Sequence, residues 1–209
     1  MLCPTIAPED TAFCAAGLET RGIAWLDAPM SGGPERARAG TMSLMVAAAD
    51  AVFERWQPLL ATLAAHVFRV GARAGDGART KLVNNLLAAV NLAGAAEAMA
   101  LAQRLGLDGA ATLAVIERSS GQSWIGSDRL KRVLAGDASI QARIALLAKD
   151  SALALQMAAG SGLGLAIVQE IAQAHDAEVT VADAHPRSGP TAAAPGALFT
   201  VRFRLKPAG

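Results

Sequence analysis

After Gly77 the chain runs to Leu105 without a proline and with a single glycine, Gly94. No other feature narrows the fold as much. Leu82, Leu86, Leu87, Val90, Ala93 and Ala96 recur along it at helical spacing, which predicts one long helix with an apolar stripe. The rest of the chain must be arranged around that helix. Upstream, elements alternate. Pro8, Glu9 and Asp10 open a helix over 8–21, and GIAWLDAPM (22–30) reads as a buried strand. SGGPERARAG (31–40) reads as a glycine-rich loop and TMSLMVAAA (41–49) as a second strand. Asp50 is expected to cap a helix to about Ala64, and HVFRVG (66–71) is a third strand. Alternating α and β over the first 75 residues implies a sheet layered with helices. Downstream, helices are expected at 108–118, 126–135 and 140–158.

At Gly160 the texture changes again. GSGLGLAIVQEIAQAH (160–175) reads as a glycine turn opening a helix, EVTVADA (178–184) as a strand and LFTVRFRL (198–205) as a closing strand. Two strands and a helix bury little apolar surface for an independent domain. The expected organisation is therefore a partial α/β domain over 1–77, an all-α helical domain over 78–158 and a small α+β tail over 159–209.

Composition excludes several functions. Aromatic residues are 4% of the chain with no tyrosine, a poor basis for stacking single-stranded bases. The formal net charge is +1 with charges interspersed, so neither a nucleic acid nor an anionic membrane is an expected partner. Cys3 and Cys14 are too few and wrongly spaced for a disulfide framework or a metal site, and read as reduced thiols of a cytoplasmic protein. The opening MLCPTIAPED lacks the basic and apolar regions of a signal peptide. Residues 151–169 are uncharged over about the length of a membrane span. Gln156, Ser161 and glycines 160, 162 and 164 interrupt them, so no span is expected there.

Three constellations can carry chemistry. Ser31-Gly32-Gly33 ends a predicted strand, and such a turn leaves main-chain N–H groups unobstructed, as a nest for a carboxylate. Lys81, Asn84 and Asn85 project from roughly one face at the start of the long helix, where that face turns apolar. A lysine partly desolvated there acquires a lowered pKa and suits general acid/base work, with an amide beside it to hold a substrate oxygen. Lys149-Asp150 lies late in the last predicted helix. Taken singly, each has a plainer reading: an ordinary turn, a solvated lysine, a surface ion pair.

Their order and spacing are more specific. DAPMSGG, GTMSLMVAAAD, GDGARTKLVNNLLAAVNLAGAAEAMALAQRLGLD, SSGQSW and LLAKDSALAL, in that order, resemble the 3-hydroxyisobutyrate dehydrogenase family of β-hydroxyacid dehydrogenases over about residues 2–159. The resemblance implies a Rossmann-type domain followed by a helical domain, with NAD or NADP as cofactor and a small carboxylate as substrate. It implies Lys81 as the catalytic acid/base, and Ser31, Gly32, Gly33, Asn84 and Asn85 as substrate-binding residues. Thr5 and Lys149 would face the cofactor, although Pro4 stands where the family commonly has serine. It also implies a homo-oligomer formed through the helical domain. The strand–GxGxxG–helix unit that seats a dinucleotide pyrophosphate is expected roughly 80–90 residues before residue 1 in such proteins and is not among these residues. The activity of the chain alone is therefore expected to be impaired. The alternative is a non-catalytic oligomerisation or interaction module.

Residues 160–205 resemble something different, the end of a sensor histidine kinase ATPase domain. Gly160, Gly162 and Gly164 match its phosphate-wrapping glycine box. The adenine box, the magnesium-binding asparagine helix and the phosphoacceptor-histidine helix are missing, so ATP-dependent kinase activity is not expected. A junction between the two resemblances is expected at 157–163.

Overall fold

The computed structural model describes residues 1–137, 141–161, 177–183 and 197–203. Two compact units are present, Met1–Gln156 and Met157–Gly209.

In the first unit, helix α1 (Pro8–Glu19) starts with proline in its first turn followed by Glu9 and Asp10, the charges that the positive end of a helix dipole favours. It buries Pro8, Thr11 and Ala15. The segment after it differs from the expected continuous strand. Gly22, Ile23 and Ala24 are exposed, and regular pairing begins only at Leu26–Asp27. There the chain runs between Leu2 on one side and Ala47 on the other, through isolated bridges. Pro29 has no N–H to continue the ladder, so strand β1 is reduced to Met30–Ser31. The expected 31–40 loop is also corrected: it contains a short helix, α2 (Gly33–Arg38).

Strand β2 (Ser43–Ala47) is central, antiparallel to β1 and parallel to β3 (His66–Gly71), with α3 (Asp50–Leu63) as the crossover. Four consecutive β2 residues, Leu44 to Ala47, are buried, as expected for a strand covered on both faces. Leu26, Ala28, Leu44, Val46, Ala48, Leu60 and Ala64 form the core beneath it. Asp50 does not cap α3. Ala49 holds the N-cap position without a side-chain bond, and the Asp50 carboxylate pairs with Arg69 across the connection.

Helix α4 (Asp76–Arg104) is one uninterrupted helix of 29 residues. It packs against β2 and β3 near its start and against α5 (Gly109–Glu117) and α6 (Trp124–Leu134) further on. Asp108 and Ser123 cap those two helices by accepting the N–H groups of Ala111 and Gly126 at 2.7 and 3.1 Å. Gly126 lets α6 approach α4 closely, because a Cβ there would lie 3.1 Å from Ala95. The expected apolar stripe is buried only at Leu82; Leu87 is 61% exposed and Ala96 is also exposed. Among the described residues α4 is the one helix long and apolar enough to cross a bilayer, by length and composition only. Helix α7 (Gln141–Gly160) continues through Gly160, so the turn expected there does not begin at that residue.

In the second unit β4 (Ala177–Asp183) and β5 (Ala197–Phe203) pair antiparallel along their whole length, from Ala177–Phe203 to Asp183–Ala197. The helix expected from about Leu163 lies outside the described residues.

Candidate active site

The site is built where the end of β1, the start of α4 and the first half of α7 converge. Gly32 has φ of 128° and Gly33 of 66°, so the turn after Ser31 uses backbone conformations that side chains disfavour. A Cβ on Gly32 would also lie 2.7 Å from the Cβ of Arg36. Both glycines are therefore required for the turn to lead into α2.

The start of α4 is held by a residue outside the expected site. Asp27 is 2% exposed, and its Oδ2 accepts the N–H groups of Gly75, Gly77 and Ala78 at 2.9, 3.0 and 3.3 Å. Burial raises its carboxyl pKa, and the three N–H donors pull it back. Gly77 leaves no room for a side chain, since a Cβ would meet Asp27 and the Met45 carbonyl at 2.8 Å. This strand–glycine–helix junction has the form of an anion site, yet an internal carboxylate fills it. Its sequence signal was the acid in DAPM.

Lys81 follows one turn later and is 7% exposed. Burial lowers its ammonium pKa, and the Asp150 carboxylate opposes that shift. Asp150, 5% exposed, accepts the Asn85 Nδ2 donor on Oδ2 at 2.6 Å, while the Lys149 ammonium lies 2.7 Å from Oδ1. Asn84 donates to Asn85 Oδ1 at 3.0 Å. Together these two contacts fix which way round the Asn85 amide sits.

A cavity of about 490 Å³ brings Thr5, Ser31, Gly32, Gly33, Lys81 and Asn85 onto one wall system, with Arg129 and Asp150. Asn84 is exposed and lines an adjoining cavity of about 300 Å³ that shares Ser31, Gly32 and Asn85. Lys149 lines neither. Its ammonium donates to the Thr5 carbonyl at 2.6 Å, tying α7 to the segment before α1. Between α2 and α6, Arg132 bonds Glu35 at 2.7 Å, and the Arg36 guanidinium lies 4.7 Å from the Trp124 ring centroid. Sequence reasoning missed Arg129, which carries no local signal, and named Asp150 only as a partner of Lys149.

Two family models match the chain. That of the NAD binding domain of 6-phosphogluconate dehydrogenase covers residues 1–71. That of the NAD-binding domain of NADP-dependent 3-hydroxyisobutyrate dehydrogenase covers 75–191, more than half of the chain. The chain belongs to the 3-hydroxyisobutyrate dehydrogenase family. The second match takes in residues beyond 160, across the junction expected at 157–163. Among relatives of this family, the L-threonate dehydrogenase of Escherichia coli K12 is 37% identical over 153 residues, 73% of this chain and 51% of its own length. The 3-hydroxyisobutyrate dehydrogenase of Pseudomonas aeruginosa is 41% identical over 122 residues, 58% of this chain and 41% of its own. The chain thus spans about half the length of these curated relatives. A 3-hydroxyisobutyrate dehydrogenase of Salmonella typhimurium superposes with a TM-score of 0.74 at 33% identity, covering 80% of this chain and 59% of that one. Both family models describe NAD-binding domains, which supports NAD or NADP as the cofactor class.

Proposed function

We propose that the cavity is the substrate site of an NAD(P)-dependent dehydrogenase acting on a small β-hydroxyacid or its semialdehyde. The observation that carries this is the meeting of a glycine turn, a buried lysine and an oriented amide in one cavity. The Ser31-Gly32-Gly33 turn holds the substrate carboxylate through main-chain N–H groups and the serine hydroxyl. Lys81, desolvated and facing Asp150, gives its proton to the carbonyl oxygen during reduction, or takes the hydroxyl proton during oxidation. The Asn85 amide, with one N–H on Asp150, offers the other to the same oxygen, and Asn84 supports its orientation. A bound nicotinamide supplies or receives the hydride. The cavity's apolar lining, Met30, Leu92, Ile125, Leu146 and Leu147, suits such a flat ring, and we assign Thr5 and Lys149 to the cofactor side.

In this reading residues 1–77 form the partial nucleotide-binding domain, 78–158 the helical domain and 159–209 the tail. The tail keeps the kinase-like resemblance in its glycines. The protein is cytoplasmic and homo-oligomeric. A second reading, a non-catalytic oligomerisation module, draws on the exposed apolar residues of α4, Val83 at 58% and Leu87 at 61%.

The test is NADH oxidation with a panel of short semialdehydes, comparing the chain with Lys81→Ala. Turnover that falls by about 10²–10⁴-fold in the variant is expected for a lost acid/base. Equal turnover in both removes Lys81 from the reaction. No turnover together with self-association leaves the second reading standing.

A further inference from the structure

One charged side chain of the cavity has no task in the chemistry above. Arg129, on α6, lines the same cavity as Lys81 and the Ser31–Gly33 turn, and its side chain is only 12% exposed. Its Nη1 is engaged by the Asp128 carboxylate. That carboxylate also faces Arg132, 3.5 Å away, so its charge is divided between two guanidinium groups. No further hydrogen bond to Arg129 occurs among the described residues, which leaves most of its five N–H donors for something in the cavity.

The surroundings give those donors little else. Met30, Leu92, Ile125 and Leu147 supply apolar wall. The other acid in the cavity, Asp150, accepts from Asn85 at 2.6 Å and lies 2.7 Å from the Lys149 ammonium, and no hydrogen bond joins it to Arg129. A guanidinium cannot serve as the proton donor, because it stays charged throughout the accessible pH range. Holding it against apolar wall has a desolvation cost that an arriving anion offsets. Its planar fork matches a carboxylate in two parallel hydrogen bonds.

We propose that Arg129 is a specificity-determining residue that binds a second carboxylate, so that the preferred substrate is a hydroxy-dicarboxylate. One carboxylate sits at the Ser31–Gly33 turn, the reacting oxygen faces Lys81, and the distal carboxylate meets Arg129. This inference rests on the proposed hydroxyacid site and names its substrate class.

The experiment is calorimetric titration of the full chain, in millimolar NADH, with 3-hydroxyglutarate and with 3-hydroxybutyrate, which differ at the distal carboxylate. The diacid is expected to bind at least about tenfold more tightly. In Arg129→Gln the preference disappears while the monoacid affinity stays unchanged. Arg129→Lys keeps the charge without the fork and retains roughly a threefold preference, a milder variant if glutamine disturbs folding. Monoacid binding with no diacid preference in the wild type, or an undiminished preference in either variant, overturns the Arg129 assignment and leaves the hydroxyacid site standing. A loss of affinity for both acids equally in Arg129→Gln assigns Arg129 a structural role and also overturns it. Binding of neither acid to the wild type overturns the hydroxyacid site itself, and this assignment with it.

Discussion

Lys81 concentrates the physics of this site in one side chain. An ammonium that is 7% exposed is harder to charge than one in water, and Asp150 recovers only part of the difference. The consequence for stability has a definite sign. Below its lowered folded-state pKa, Lys81 is charged in both the folded and unfolded chains. Between that value and the ordinary lysine value of 10.5, the unfolded chain binds the proton and the folded chain does not. Stability should therefore rise with pH across that window, relative to a variant without the lysine. Urea unfolding of wild type and Lys81→Met from pH 7 to 10 checks this; a wild-type slope no steeper than the variant's would show that Lys81 is solvated. Gly32 makes a second residue-scale prediction. Gly32→Ala must place a side chain at φ 128° and against Arg36, which should cost about 1–3 kcal/mol in unfolding free energy. It should also weaken carboxylate binding, whereas an unchanged melting temperature would mean that the turn relaxes freely.

At the scale of elements, α4 is held at one end by charge and along its length by packing. Its first turn is held by Asp27, whose buried carboxylate takes three backbone N–H groups. Asp27→Asn keeps the size and can present its amide oxygen to the same three N–H groups, but it replaces charge-assisted bonds with weaker neutral ones. A loss of about 1–3 kcal/mol is expected, with a fall in substrate affinity because Lys81 moves with the helix start. Denaturant unfolding measures the first and calorimetry the second; a neutral substitution would mean that water or another acceptor replaces the carboxylate. Further along, exposed Val83 and Leu87 give the same helix an apolar face with no cover among the described residues. If α4 is the oligomer contact, Leu87→Lys shifts sedimentation from oligomer to monomer at micromolar concentration. An unchanged sedimentation profile moves the contact elsewhere.

For the molecule as a whole, the two units differ in how their elements are supported. The first layers a three-stranded sheet with helices, whereas the described part of the second is a two-stranded sheet. Isolated two-stranded pairing is marginal in water. Amides of β4 and β5 are therefore expected to exchange with deuterium much faster than those of the first half of α4. Equal protection would show the strands to be integrated with further structure. The β3–α4 junction, one of the glycine-bearing strand-to-helix turns of the first unit, gives its N–H groups to the Asp27 carboxylate and does not offer them to a pyrophosphate. These 209 residues alone should bind NADH about a hundredfold more weakly than the Salmonella relative in side-by-side titration, since the missing charge-assisted bonds are together worth roughly 3 kcal/mol. Comparable affinity would place the pyrophosphate on residues not considered for it.

Local chemistry was enough for most of the elements. A proline-free run without interior breaks made α4 one helix, and β3 and the α3 crossover followed from apolar periodicity bounded by turn residues. The order of the glycine turn, the lysine–asparagine pair and the lysine–aspartate pair was likewise legible, because motif spacing is a property of the chain itself. What the sequence could not decide were partnerships across long separations. Asp27 meets Gly75 only once β1 and α4 are packed, Asn85 meets Asp150 from 65 positions away, and Arg129 faces the cavity only through the placement of α6. Hydrogen bonds and burial depend on distances in space, which periodicity along the chain does not encode. For the same reason the apolar stripe on α4 is covered unevenly: Leu82 is buried, Leu86, Val90 and Ala93 are half-buried, and Leu87 and Ala96 are exposed. Periodicity marks an apolar face, while only tertiary packing decides whether anything covers it.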